Sequence, residues 1–162
     1  QALQTVGDSA FALGARAKDE ALILVNAEDY YFAGMMGVTH VARVGKIKGR
    51  VLTIAGTLGE VVIRRPTEHS LEVTPRHGFL SRAFNRIYRS RTAPFARGTR
   101  VNLAGVDVTV TEVTAWGEPT TAVFTFDLPL EYPRYKWAIW KDGLYVPFSP
   151  PPVGATVVVG GA

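Results

Sequence analysis

VLTIAGTLGEVVIRRPTEHSLEV, residues 51–73, decides the fold class. It holds three short segments, Val51-Leu-Thr-Ile-Ala55, Glu60-Val-Val-Ile-Arg64 and His69-Ser-Leu-Glu-Val73, separated by Gly56-Thr-Leu-Gly59 and by Pro66-Thr. Apolar, largely β-branched runs broken by turn formers predict an antiparallel meander. On the N-terminal side the period is helical. Asp8 is placed to cap a short helix over Ser9 to Leu13 with Gly14 as its stop, and Ala21-Leu-Ile-Leu-Val25 has the continuous apolar character of a buried strand. Asn26 is expected to cap a second helix from Ala27 to Val44, with Glu28 and Asp29 at its positive end and Gly45 as its stop.

On the C-terminal side one helix interrupts the strands. Phe79 to Arg91 places Leu80, Ala83, Phe84, Ile87 and Tyr88 on one face and Arg82, Arg86 and Arg89 on the other, and Pro94 ends it. Val106, Val108 and Val110 then alternate with polar residues, and Trp116-Gly117 turns the chain into Thr121 to Asp127. Asp142-Gly143, between Tyr135 to Trp140 and Leu144 to Phe148, is a two-residue hairpin signal that requires positive φ in the turn. Pro150 to Pro152 is extended, and Ala155 to Val159 closes the pattern. The expected architecture is α+β with β predominating: an N-terminal helix-strand-helix unit plus a mainly antiparallel sheet or barrel. A single domain over 1–162 is expected, with internal divisions into a helix and strand part (1–78), a basic helix and loop (79–98) and a β-rich part (99–162).

The chain of 162 residues is 47% hydrophobic and 20% charged, the balance of a globular domain. Its cysteine count of zero excludes disulfide scaffolds, thiol nucleophiles, iron–sulfur clusters and cysteine-based zinc sites. No uninterrupted apolar run reaches the roughly eighteen residues of a membrane helix, and Gln1 opens a polar stretch, so no secretory leader is expected at this start.

The candidate chemistry is sparse. His40, His69 and His77 lack metal-ligand spacing; His40 falls in an apolar helix, where a hydrogen-bonded core imidazole is the expectation. No serine sits in a nucleophile elbow, and adjacent Glu28 and Asp29 point about 100° apart, which suits capping better than a shared proton. Neither Gly34-Met-Met-Gly37, Gly45-Lys46 nor Gly56-Thr-Leu-Gly59 matches a phosphate-binding fingerprint, so no cofactor is expected and no metal.

Charge is the informative feature. The net +4 arises from a middle segment, residues 30–100, holding thirteen Lys and Arg against three Glu, between two acidic flanks. Arg76, Arg82, Arg86, Arg89, Arg91, Arg97 and Arg100 occur with no acid between Glu72 and Asp107, and Tyr88 and Phe95 lie among them. Guanidinium groups hold phosphates and aromatics stack on bases, so this belt is the candidate anion-binding site, for lipid headgroups before nucleic acid. The alternative is a solvated face that pairs with its own acids. Trp116, Tyr132 and Leu144 occupy turn positions that normally carry polar residues and are the candidate protein contact.

Leu24-Val-Asn-Ala-Glu-Asp29, Pro94-Phe95 with Gly98-Thr-Arg-Val101, Gly117-Glu-Pro-Thr120, Phe124-Thr-Phe-Asp127 and the stretch from Val146-Pro-Phe148 to Pro152-Val-Gly154 resemble the soluble C-terminal portion of uncharacterised bacterial proteins with several membrane spans. That resemblance runs from about Leu22 onward. It implies a membrane-tethered parent with this domain at the bilayer surface, and it names no catalytic residue. The combined expectation is a non-catalytic binding or assembly domain making protein contacts or self-associating. An anion-binding module is the alternative, and an enzyme using His69 or His77 comes third.

Overall fold

Strand β1, Ala21–Asn26, is buried at all six positions, as a strand covered on both faces must be. It is flanked in sequence by helix α1, Ala2–Leu13, and helix α2, Tyr30–Val44. The computed structural model describes residues 2–28, 30–80, 93–103 and 105–161, with side chains from residue 5 onward. After α2 comes β2, Arg50–Ala55, which pairs with β1 in parallel from Ala21↔Arg50 to Asn26↔Ala55. A helix of fifteen residues supplies the crossover that parallel neighbours need. Two late strands complete this sheet: β8, Tyr135–Lys141, lies parallel to β1 on its other side, and β9, Leu144–Pro147, returns antiparallel to β8. The order is β2-β1-β8-β9.

The chain clusters into two compact units, Gln1–Leu58 with Glu131–Ser149 and Gly59–Leu130 with Pro150–Ala162. In the first, α1 and α2 pack on one face of the sheet through Phe11, Leu22, Leu24, Ala33, Met36, Ala138 and Tyr145. The second unit is an antiparallel sheet of β3 (Val61–Thr67), β4 (Ser70–Pro75), β5 (Arg100–Leu103), β6 (Val106–Val113), β7 (Pro119–Thr125) and β10 (Thr156–Val159). Its order is β10-β3-β4-β7-β6-β5, an open sheet with β10 and β5 as edges and not a barrel. Val106, Val108 and Val110 are buried as their alternation requires, beside Ile63, Val73, Ala122 and Phe124.

The α+β class with β predominating is therefore observed, and both N-terminal helices form, but local assignments differ. Helix α1 begins at Ala2, so Asp8 lies inside it and caps nothing; its carboxylate holds Arg43 of α2 instead. Asn26 ends β1 rather than capping α2. Its Oδ1 accepts the Trp140 backbone N–H at 2.9 Å, while its buried Nδ2 has no partner among the described residues. The Val51 to Ala55 segment does not join a meander with the strand after it, because the chain passes at Leu58–Gly59 from one unit to the other. Strand β5 was not foreseen. The Arg-faced segment after Leu80 falls on residues 81–92, outside the described residues, although Phe79 at its start is buried with its ring centroid 6.1 Å from that of Phe124.

Candidate functional site

A cleft of about 460 Å³ opens in the first unit where the end of α1 meets the end of α2. Glycine geometry builds it. Gly45, at φ +99°, stops α2 and donates its N–H to the Val41 carbonyl at 2.9 Å. Four residues later the Gly49 N–H bonds to the Ala15 carbonyl at 3.2 Å, where Ala15 itself takes φ 62°. A Cβ on Gly49 would stand 2.4 Å from the Glu20 carbonyl oxygen, so no other residue fits this close approach. The loop Gly45-Lys-Ile-Lys-Gly49 is thereby laid beside the turn that carries Arg16.

The cleft is lined by Arg16, Arg43, Lys46 and Lys48, with Asp8 as its one carboxylate among the described residues. Asp8 is already engaged: Arg43 Nη1 donates to its Oδ2 at 2.9 Å and Nη2 to its Oδ1. Arg16 Nη2 donates to the Ala12 carbonyl at 2.5 Å. The backbone N–H groups of Arg16 and Ala17 donate to Glu20 Oε2 at 2.8 and 3.3 Å, and the first of these bonds is the main cause holding the Glu20 carboxyl below its ordinary range. Lys46 and Lys48 are exposed and form no ion pair among the described residues. His40 lines the same cleft with its ring stacked on Phe11, centroids 4.1 Å apart. The expected satisfied core imidazole is not what forms, since His40 Nδ1 is buried without a hydrogen-bond partner among the described residues. A buried polar atom left unpaired costs about 1–3 kcal/mol.

The arginine belt is partly neutralised. Arg76 pairs with Glu60 at 2.8 Å and Arg97 with Glu112, while Arg100 is exposed with no ion pair among the described residues. Arg82, Arg86, Arg89 and Arg91 lie outside the described residues. Of the candidate contact residues, Trp116 belongs to the second unit and Tyr132 and Leu144 to the first. Trp116 is 78% exposed on a turn braced by Gly117, at φ +77°, whose carbonyl accepts the Phe95 N–H at 2.9 Å. Tyr132 is half-buried edge-to-face on Tyr135, and Leu144 is exposed beside the Asp142-Gly143 turn. His69 Nδ1 lies 3.2 Å from the Phe126 carbonyl, and His77 is exposed. Among the described residues, no three His, Asp or Glu side chains converge to hold a metal, and no helix is long and apolar enough to cross a membrane.

Sequence reasoning missed the cleft because its cations come from two helix ends roughly thirty residues apart. The available signal was the pair of glycines bracketing Lys46 and Lys48. It also counted Arg65 as part of the basic surplus, whereas the side chain is buried with Nε, Nη1 and Nη2 donating to the carbonyls of Thr67, Pro151 and Glu68 at 3.0 to 3.1 Å. Comparison with known proteins finds no matching family model, no matching curated protein and no matching solved structure.

Proposed function

We propose that this chain is a non-catalytic binding domain that takes a phosphate-bearing anion, the headgroup of an anionic lipid, in the cleft between the ends of α1 and α2. The observation that carries this reading is the convergence of Arg16, Lys46 and Lys48 on one concavity whose only carboxylate among the described residues, Asp8, is already paired with Arg43. Converging cations in a cleft raise the local concentration of anions, and each Lys or Arg near an anionic bilayer contributes about 1 kcal/mol to attachment. We place the anion in this cleft and not in the Arg76 to Arg100 belt because Lys46 and Lys48 are exposed there without an ion pair among the described residues, whereas of the three described belt members Arg76 and Arg97 pair with Glu60 and Glu112. Lipid is preferred to nucleic acid on the expectation, drawn from the sequence resemblance alone, of a membrane-tethered parent. Co-sedimentation with phosphatidylglycerol vesicles, uncharged digalactosyldiacylglycerol vesicles and a DNA oligonucleotide across a salt series tests it. Binding to the anionic vesicles alone, weakening as salt rises, is expected. Equal binding to both vesicles, or a preference for DNA, would overturn it.

A second reading, docking on another protein or a second copy through the turn at Trp116, is favoured by the 78% exposure of that ring on a braced hairpin end. A rigid exposed indole brings large apolar area to a contact at low entropic cost. Under this reading Trp116→Ser reduces self-association in analytical ultracentrifugation with the thermal midpoint unchanged, and unchanged association in both chains removes self-assembly through this turn.

A further inference from the structure

A second concavity of about 430 Å³ in the first unit has the opposite chemistry. It is lined by Glu28, in the segment between β1 and α2, by Trp140, Gly143 and Tyr145 of the β8–β9 hairpin, and by residues of α1 and α2. Its walls are aromatic and apolar: Trp140 and Tyr145 meet edge-to-face with centroids 5.4 Å apart, and Phe32 and Met36 of α2 stand in the same wall. One charged side chain enters, Glu28, which has no ion pair or hydrogen bond among the described residues. Tyr145 is only 4% exposed, yet its hydroxyl has no hydrogen-bond partner among the described residues. Burial, reinforced by the charge of Glu28, pushes that phenol above its ordinary pKa, so it remains neutral beside the carboxylate.

We propose that this groove binds a small organic ammonium cation, its alkyl groups against Trp140, Tyr145 and Phe32 and its charge opposite Glu28. An anion would be repelled by Glu28. An uncharged apolar molecule would desolvate the carboxylate without pairing it, at a cost that only a cation removes. The electron-rich faces of Trp and Tyr attract the same cation, and the volume suits a ligand of modest size. This site shares no lining residue with the cationic cleft, so either can fail alone.

Isothermal titration of the chain with choline, and with 3,3-dimethylbutan-1-ol as its uncharged carbon isostere, tests the proposal without any variant. Saturable choline binding is expected, with the isostere weaker by about tenfold or more. The Glu28→Gln chain, checked for an unchanged circular dichroism spectrum, is expected to lose choline affinity by a similar factor. Absence of saturable choline binding, equal affinity for the isostere, or full affinity in folded Glu28→Gln would each overturn the assignment.

Discussion

Arg65 carries a full charge and offers none of it to a ligand. At 3% exposure its guanidinium spans three backbone carbonyls at the register shift between Arg64 and Thr67. A lysine keeps the charge but loses the planar fork, so Arg65→Lys is expected to lower the unfolding free energy by about 2–4 kcal/mol in urea denaturation. Unchanged stability would show that those carbonyls need no guanidinium. Tyr30 makes a pH-dependent contribution. Its hydroxyl donates to the Ile54 carbonyl at 3.1 Å, and burial pushes the phenol from 10.0 up to about 12, with a smaller opposing effect from the Gly56 backbone N–H. Because the folded value lies above the unfolded one, this contribution is complete below pH 10 and is lost as pH rises through about 12. Stability of the native chain should fall between those values, and Tyr30→Phe should fall less over the same interval. Parallel curves for the two chains would contradict the assignment.

Helix α2 and the β6–β7 hairpin set glycine two different tasks. Gly34 lies within α2 with nothing inside 4 Å of a Cβ built on it, so Gly34→Ala is expected to stabilise by about 0.5–1 kcal/mol. Gly117 sits at φ +77° with a built Cβ 2.4 Å from Pro94 Cβ, so Gly117→Ala is expected to destabilise by about 1–3 kcal/mol. Opposite signs in paired thermal melts check both. Elements governed by local rules were legible in the sequence. Asp142-Gly143 forms the required turn, at φ 50° and 85°, and Gly45 stops α2. Elements governed by distant partners were not. The Asn26 side chain obeys no capping rule because Trp140, more than a hundred residues away, supplies its hydrogen bond. Strand β2 has the composition of a meander strand, yet its neighbour is chosen by the α2 crossover.

Over the whole molecule, the surplus of cations in residues 30–100 was readable by counting, but their division among tasks was not. Arg65 is consumed inside the second unit, Arg64 and Arg76 pair with Glu72 and Glu60, and Arg43 pairs with Asp8. Side chains brought together across helix ends, such as Arg16 with Lys46 and Lys48, leave no periodic trace in a linear sequence. The chain also leaves the first unit at Leu58 and re-enters it at Glu131, so β8 and β9, which complete the sheet around β1, are separated from it in sequence by the Gly59–Leu130 part of the second unit. Whether the cleft between α1 and α2 holds a phosphate-bearing headgroup is decided most directly by the affinity of Lys46→Gln/Lys48→Gln for phosphatidylglycerol vesicles at physiological salt. Removing two exposed charges worth about 1 kcal/mol each should weaken attachment roughly 30-fold at an unchanged thermal midpoint. Affinity equal to that of the native chain would contradict the account.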